Sequence, residues 1–341
     1  MSRLTGNERA IVVTALKHAA PYIRMFKRKV FVIKAGGEAF QSAATTRSIV
    51  EQVGILHEVG IRIVLVHGGG PQSTQLAKER GIPIQFVDGR RVTDESTLEV
   101  SATVLNDQIN PMIVAAFGDL DIPAVGIRGR DASVIRAHRR PPIAREGHDG
   151  ETVDYGYVGD IDAIDADILA EHLNDGLIPI ISPMAADGDG TLLNINADTV
   201  AAAVASAVGA EKLILATSAP GILESRENPG SLISYIDIAG LGKLRDEGRI
   251  ADGMLPKATA IEGALRGGVP RVHVISSELA DSLLLEIFTN EENATSTYSY
   301  AFSMFFNETQ HPGKVTCHDV SGKDIQYVMV CRSDCGPDAY N

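Results

Sequence analysis

The chain predicts an α/β fold: a three-layer αβα sandwich around a mainly parallel sheet. Short β-branched runs alternate with amphipathic helical segments along its 341 residues, a pattern that builds a parallel sheet covered by helices on both faces. Two of those runs, Val30 to Ile33 and Ile61 to Val66, lead directly into glycine-rich turns, Lys34-Ala-Gly-Gly37 and His67-Gly-Gly-Gly-Pro71. Glycine lets backbone N–H groups approach an anion with no Cβ in the way. The two turns therefore predict phosphate or carboxylate chemistry at one end of the sheet.

Residues 10–26 carry apolar side chains at helical spacing (Ile11, Val12, Ala15, Leu16, Ala19, Ile23) with Pro21 inside the pattern. Proline removes an N–H and crowds the preceding turn, so a kinked helix is expected. Strands at 30–35 and 61–66 flank a helix at 43–59, a βαβ unit with a right-handed crossover. Further strands are expected near 122–127, 177–182, 191–195, 212–217 and 271–275. Helices are expected near 72–80, 94–117, 165–175, 197–209, 237–247, 256–267 and 279–289. After about residue 290 the composition changes: Tyr298, Tyr300, Phe302, Phe305, Phe306, Tyr327 and Tyr340 fall there, as do Cys317, Cys331 and Cys335. Residues 291–341 read as an atypical C-terminal tail, and residues 1–28 as a separate N-terminal helix.

With 44% hydrophobic residues, 33 glycines and no Trp, the composition is that of an ordinary globule. No apolar run reaches the ~18 residues of a transmembrane helix, and MSRLTGNERA lacks the apolar core of a signal peptide. A cytoplasmic protein is expected. The net charge of −13 opposes binding to nucleic acid or an anionic membrane, so an anionic substrate needs local basic residues. The basic stretch Arg128, Arg130, Arg136, Arg139, Arg140 and Arg145, around Pro141-Pro142, reads as a solvated hairpin. Three cysteines, an odd number, predict reduced thiols. Cys331-x3-Cys335 is not a zinc spacing, and no metal site in the protein is expected.

Neither glycine turn matches a dinucleotide or Walker A pattern. Lys34, however, ends a buried-looking strand, where an ammonium is costly unless it meets a negative group, so it should face the site. In Asn194-Ile-Asn196-Ala-Asp198, alternation puts both amides and the carboxylate on one side. Asp198 then either caps a helix from Thr199 to Val208 or joins a binding strip, where it can hold lysines without touching substrate. Ala251-Asp-Gly-Met-Leu-Pro-Lys257 is a turn into a helix. A lysine there works against the macrodipole unless an anion is bound. Gly89-Arg-Arg-Val-Thr93 precedes a long helix, and Arg91 can fork onto a carboxylate. His67, which first looks catalytic, reads as a residue shaping its turn.

Taken together, Val30-Phe-Val-Ile-Lys-Ala-Gly-Gly37, Val66-His-Gly-Gly-Gly70, Gly89-Arg-Arg-Val-Thr93, Leu193-Asn-Ile-Asn-Ala-Asp198 and Asp252-Gly-Met-Leu-Pro-Lys257 resemble the amino acid kinase family, in order and spacing. The resemblance covers about residues 10–290. It implies the amino acid kinase or carbamate kinase-like fold, with an acceptor lobe at about 29–190 and a nucleotide lobe at about 191–290. It also implies transfer of the ATP γ-phosphoryl to a side-chain carboxylate, most like the members that phosphorylate N-acetyl-L-glutamate in arginine biosynthesis. On that resemblance Lys34 and Lys257 stabilise the transferring phosphoryl, and Asp198 orients both lysines. Gly36, Gly37 and Gly69 offer backbone N–H groups, while Gly69, Gly70, Arg91 and Asn194 bind the acceptor. Thr217, Ser218, Gly221, Asp252, Gly253 and Met254 hold the nucleotide, whose phosphates carry Mg²⁺.

The N-terminal helix, Ala15-Leu-Lys-His-Ala-Ala-Pro-Tyr-Ile-Arg24, resembles that of arginine-inhibited members, where such helices interlace three dimers into a hexamer. A homodimer or hexamer is implied, with Tyr22 facing an arginine inhibitor. The chain departs from the family pattern in four places. Ser218 stands for an aspartate; Gly129-Arg-Asp-Ala-Ser133 stands for Gly-Lys-Asp-Gly; Leu105-Asn-Asp-Gln-Ile-Asn110 stands where V-G-K-V-N is usual; and Glu291-Glu-Asn-Ala-Thr295 replaces Glu-Gly-x-Gly-Thr. Two other readings stay open: a kinase for another carboxylate, such as a carrier-bound aminoadipate, and a non-catalytic arginine-sensing domain. Retention of Lys34, Asp198 and Lys257 together argues against the second.

Overall fold

A computed structural model describes residues 5–87, 90–128, 134–144, 152–218, 233, 235–250, 254–277, 280–289, 317–318, 324–325 and 327–331. In chain order the first elements are α1 (Gly6–Phe26), β1 (Val30–Ala35), a 3₁₀ turn (Gly37–Phe40), α2 (Ala43–Glu58), β2 (Arg62–His67) and α3 (Gly70–Glu79). A short hairpin, β3 (Phe86–Val87) and β4 (Arg90–Arg91), precedes α4 (Glu95–Ala102), a π-helical segment (Thr103–Ile109) and α5 (Asn110–Gly118). Then come β5 (Ala124–Ile127), β6 (Ile135–Arg139), β7 (Ile143–Ala144), β8 (Thr152–Val153), β9 (Gly159–Ile164), α6 (Ala166–Asn174), β10 (Ile178–Ile181), β11 (Met184–Ala186) and β12 (Leu192–Asn194). The later half holds α7 (Ala197–Ala207), β13 (Lys212–Thr217), β14 (Tyr235–Asp237), α8 (Ile238–Asp246), α9 (Leu255–Arg266), β15 (Arg271–Ser276) and α10 (Ser282–Thr289). Three short strands follow: β16 (Cys317–His318), β17 (Asp324–Ile325) and β18 (Tyr327–Cys331).

The main sheet has eight strands in the order β14-β18-β15-β13-β1-β2-β10-β5. All neighbours from β15 to β5 are parallel, while β18 runs antiparallel to β15. Period-2 alternation along β1 explains the three layers. Val32 joins Val64, Val66, Leu213 and Leu215 in a core covered by α7, α8 and α9. Its neighbours Phe31 and Ile33 join Ile63, Leu65 and Ile214 in a second core under α2, α5 and α10. Runs buried on both faces read as continuous apolar strands, as Ile61 to Val66 does.

Several elements differ from the sequence expectation. The basic stretch is not a self-contained hairpin: β6 is an inner strand of a second, four-stranded sheet, β12-β11-β6-β9, and pairs antiparallel with β9. Its arginines are partnered by acids brought from the far strand and its approach, Arg139 by Asp154 at 3.1 Å and Arg140 by Asp160 at 2.6 Å. The single helix expected at 94–117 is two α-helices joined by the π-helical segment. The N-terminal helix begins at Gly6 rather than residue 10, because Thr5 and Glu8 form a capping box ahead of it. Pro21 lies inside α1 without ending it.

The C-terminal part of α1 is buried, with Phe26 edge-on to Phe31 at 5.1 Å and Tyr22 edge-on to Phe288 of α10 at 6.4 Å. Its earlier turns leave Ile11 and Leu16 60% and 62% exposed. Beneath α10 the second core encloses an ionic cluster that the sequence did not announce. His273 Nδ1 lies 2.5 Å from Glu286 Oε1, and His273 Nε2 lies 3.0 Å from Lys212 Nζ. Burial first, and then the Lys212 charge, hold this imidazole below its ordinary pKa. Among the described residues no helix is long and apolar enough to cross a membrane.

Candidate active site

The two glycine turns meet beyond the carboxyl ends of β1 and β2, the edge where open α/β sheets bind ligands. They pack on each other: Gly68 N–H donates to Ala35 O at 2.8 Å, and Gln72 Nε2 donates to Gly37 O at 2.7 Å. A Cβ added at Gly37 would lie 2.8 Å from Pro71 Cδ and 3.0 Å from Gly69 Cα. One at Gly69 would lie 2.7 Å from Leu105 Cδ2. Close approach, rather than a left-handed backbone, is what demands glycine here. Gly37→Ala is accordingly expected to cost about 1–3 kcal/mol, the usual cost of overpacking, read as a lower midpoint in urea unfolding.

Over these turns lies a cavity of about 260 Å³, lined at one end by Lys34, Gly36, Gly37 and Asp198, and at the other by Gly70, Arg91 and Asn194. Lys34 is the fifth residue of β1, held in register between Val66 and Leu215. Its Nζ lies 3.1 Å from Asp198 Oδ1. Lys257 Nζ donates to both Asp198 oxygens at 3.0 Å. The three groups are 9%, 8% and 5% exposed for Lys34, Asp198 and Lys257.

Asp198 does not cap α7, which begins at Ala197. Asn196 does, accepting from the N–H groups of Asp198 at 2.9 Å and Thr199 at 3.2 Å. With the cap supplied by Asn196, the Asp198 carboxylate is released to the lysines. Lys257 stands in the first turn of α9, which starts after Met254 with no side-chain cap and has Pro256 in its second position. The positive end of that helix and both ammonium groups therefore converge on one place, and Asp198 supplies a single negative charge between them.

The electrostatics follow from that count. Burial disfavours the Asp198 anion, but Lys34 and Lys257 overcome it and hold the carboxyl down at about 2. Burial first, then Lys34, lower the Lys257 ammonium to about 8 against the pull of Asp198 and, more weakly, of Glu38. The surroundings strengthen the carboxylate ion and weaken the ammonium, and an anionic ligand in the cavity would add to the pull of Asp198 and Glu38 on that ammonium.

Arg91 sits at the opposite end, its guanidinium over the Phe86 ring at 5.0 Å and its Nη2 donating to Thr74 Oγ1 at 2.9 Å. Its Nη1 is buried with no hydrogen-bond partner. A buried donor without an acceptor costs the full desolvation of the group, which fits a carboxylate ligand at this end. Asn194 Nδ2 donates to Thr93 Oγ1 at 3.4 Å, across from Arg91. His67 is fully buried: Nδ1 bonds Gly68 O and Nε2 faces Asn110 Nδ2, both at 3.2 Å, and burial lowers its pKa to about 4. It is a neutral ring that braces its turn.

The structure thus brings Lys34, Gly36, Gly37, Gly69, Gly70, Arg91, Asn194 and Asp198 to one cavity, with Lys257 bonded to Asp198. Thr217 ends β13 and Ser218 is an exposed bend beyond it; neither lines the cavity, nor does Met254. Gly221, Asp252 and Gly253 lie outside the described residues. Sequence reasoning missed Glu38, whose charge acts on Lys257, and Ser101, Leu105 and Pro183 in the cavity wall. The Gly-Gly-Glu turn carried a signal for Glu38. Leu105 carried only its place at the start of the stretch that departs from the family's V-G-K-V-N pattern, and the π-helical turn is what places it in the cavity wall.

A family model described as "Amino acid kinase family" matches residues 29–276. A relative from Myxococcus xanthus, named acetylglutamate kinase, is 41% identical over 286 residues, covering 83% of this chain and 92% of its own. The solved N-acetylglutamate synthase of Neisseria gonorrhoeae, complexed with coenzyme A and N-acetyl-glutamate, superimposes with a TM-score of 0.70 at 29% identity, over 82% of this chain and 61% of the synthase. Carbamate kinase of Giardia lamblia bound to AMP-PNP shares the fold, with a TM-score of 0.53 at 15% identity over 74% of this chain and 94% of that one. The matched region spans both glycine turns, Arg91, Asp198 and Lys257, and on that extent of agreement the chain belongs to the amino acid kinase family.

Proposed function

We propose that this protein is a cytoplasmic acetylglutamate kinase, transferring the γ-phosphoryl of ATP to the side-chain carboxylate of N-acetyl-L-glutamate in arginine biosynthesis. The observation that carries the reading is the Lys34–Asp198–Lys257 constellation at one end of a cavity whose other end is lined by Arg91. The relatives named acetylglutamate kinase support the acceptor. An acceptor lobe of about 29–190 presents the substrate, and a nucleotide lobe of about 191–290 presents ATP.

The chemistry follows from charge and position. Arg91 and Asn194 hold the α-carboxylate and acyl end of the acceptor, so that its side-chain carboxylate lies beside Gly36, Gly37 and Gly69. That carboxylate is already ionised and needs no general base. Its oxygen bonds to the γ-phosphorus as the bond from phosphorus to the bridging oxygen breaks, and that electron pair leaves on ADP. Catalysis is then positioning plus stabilisation of the charge spread over the transferring group. Lys34 and Lys257 approach that charge from two sides, and Asp198 fixes both ammonium groups before substrate arrives. Mg²⁺, carried on the ATP phosphates, neutralises part of their charge. The nucleotide is held by Thr217, Ser218, Gly221, Asp252, Gly253 and Met254, with Ser218 where an aspartate is usual.

The same reading makes the exposed apolar stripe of α1, Ile11 to Leu16, an interface between copies, in a homodimer or a hexamer built from dimers. Arginine is the protein's inhibitor, with Tyr22, buried against Phe288 near the C-terminal end of α1, at that site. ADP release from Mg-ATP, measured against N-acetylglutamate, free glutamate, aspartate and aminoadipate derivatives with and without arginine, tests the whole. N-acetylglutamate should give the highest kcat/KM, and no turnover on any acceptor overturns the enzyme. Unchanged activity and thermal stability with arginine overturn the regulation.

The Lys257 ammonium sets a pH dependence. Its folded pKa is depressed to about 8, so in the free enzyme it loses its proton as pH rises through that value. The ratio kcat/KM, which reports the free enzyme, should be flat below about pH 7 and fall toward a tenfold loss per unit well above pH 8. Stability moves the other way: between about pH 8 and the unfolded lysine value the unfolded chain binds the extra proton, so rising pH relieves the cost of burying the charge. An activity profile flat to pH 9.5 would show that this ammonium is not needed.

A further inference from the structure

The π-helical segment Thr103–Ile109 interrupts what would otherwise be one helix from residue 95 to 118. Asn110 N–H reaches back to Leu105 O, one residue further than an α-helix allows. Single turns of this kind cost hydrogen-bond geometry and recur at functional sites. Here the extra residue has a visible effect: Leu105 and Ile109 are carried onto Gly69, where an added Cβ would lie 2.7 Å from Leu105 Cδ2 and 2.9 Å from Ile109 Cδ1. Leu105, with Ser101 one turn earlier, enters the cavity wall, and Leu105 does so against Gly69.

Two asparagines fasten this turn. Asn106 is buried; its Oδ1 accepts from Ser182 Oγ at 2.5 Å and its Nδ2 donates to Met184 Sδ at 3.5 Å. Asn110 Nδ2 donates to Ile180 O at 2.9 Å and lies 3.2 Å from His67 Nε2. One face of the segment is thereby tied to the ends of β10, β11 and β2, and its other face is left to the cavity. A polar side chain would not be buried here for packing alone, because an apolar one of the same shape avoids the desolvation cost.

We propose that Leu105 is the specificity-determining residue that gauges the length of the carboxylate acceptor, and that Asn106 is the positioning residue that holds it there. This inference rests on the kinase reading above and deepens it. Arg91, on the short β3–β4 hairpin, and Lys34, on β1 of the main sheet, line opposite ends of one cavity, so acceptor length is decided by how far the chain between the two carboxylates can bow. Leu105 fills the space into which a longer chain would bow. One methylene in an apolar pocket is worth a discrimination of about 10–200-fold, which a single leucine at the right place can supply.

The test uses the full chain and two acceptors, N-acetyl-L-glutamate and N-acetyl-L-2-aminoadipate, which is one methylene longer. Wild type should favour the shorter by about 10–200-fold in kcat/KM. Leu105→Ala should shrink that preference at least tenfold, through a raised KM for the shorter acceptor and a lowered KM for the longer, with KM for Mg-ATP unmoved. Asn106→Leu should shrink it in the same sense, and Ser182→Ala, which deletes only the hydroxyl partner, gives a milder form if Asn106→Leu fails to fold. A purely structural role would lower the unfolding midpoint of these variants and leave the acceptor ratio alone. Wild-type turnover with a ratio unmoved in Leu105→Ala overturns the gauge and leaves the kinase standing. Wild-type inactivity on both acceptors overturns the kinase, and the gauge with it.

Discussion

Replacing Lys257 by alanine should lower kcat at saturating Mg-ATP and acceptor by at least about 10², the loss typical when one donor to a developing charge is removed. The size follows from the setting. Lys257 is 5% exposed and stands in the first turn of α9, so its charge acts through little water and is reinforced by the helix N-terminus. An interaction that grows as charge spreads over the transferring oxygens lowers kcat and kcat/KM together, without a matching rise in KM. The fold should survive the change, because Asp198 keeps Lys34 at 3.1 Å and the ammonium removed is one that burial disfavours. Steady-state ADP release beside a thermal melt checks both halves. Near-normal turnover would remove Lys257 from the mechanism.

Asp198→Ala should have the largest effect on stability, a loss of about 3–5 kcal/mol, as when one partner of a buried ion pair is deleted. The single carboxylate serves two lysines at 3.0–3.1 Å, and its removal leaves two ammonium groups buried together with nothing between them. The effect is conditional on pH. The folded pKa of Asp198 is depressed to about 2, so its contribution is complete above the unfolded carboxyl value near 4 and is lost as pH falls toward 2. The wild type and the variant should therefore differ fully in urea unfolding at pH 7 and converge in strong acid. Removing Lys257 as well should recover part of the loss. A variant as stable as wild type at neutral pH would show that solvent already screens the lysines.

The central strands were legible because they are buried on both faces: the unbroken apolar runs before Lys34 and His67 admit few other readings. The second sheet was not. In β6 the arginines alternate with Ile135 and Ala137 over a short span, and the acids that neutralise them lie about fifteen to twenty residues away, at Asp154 and Asp160. The stretch is solvated as expected, with Arg136 and Arg139 exposed, but its place in a sheet depends on pairing with β9, and pairing distance is not a property of sequence. The π-helical turn was hidden for a related reason. Residues 94–117 keep helical periodicity, and the one extra residue is imposed by Asn106 and Asn110 reaching across to β10 and β11.

Within the site, Lys34, Asp198 and Lys257 come from positions so far apart in the chain that only the family resemblance joins them. Local rules placed each on its element and left Asp198 open between a helix cap and a binding strip; the geometry gives the cap to Asn196 and Asp198 to the lysines. Arg91 was expected to fork onto a carboxylate. What sequence could not supply is that the guanidinium lies over the Phe86 ring and gives Nη2 to Thr74, leaving Nη1 without a partner.

The strand β18, lying between β15 and β14, bears on how this polypeptide is made. It is the last described strand in the chain, yet it is an inner one, parallel to β14 and antiparallel to β15. Until residues 327–331 have been synthesised, β15 presents an unpaired backbone edge and β14 has no neighbour in the sheet. Such an edge is a template for pairing with another chain, and nascent chains of this protein carry it for the whole time that the preceding stretch is being translated. Emergence of residues 327–331, rather than collapse of the N-terminal half, is the moment at which the main sheet can close.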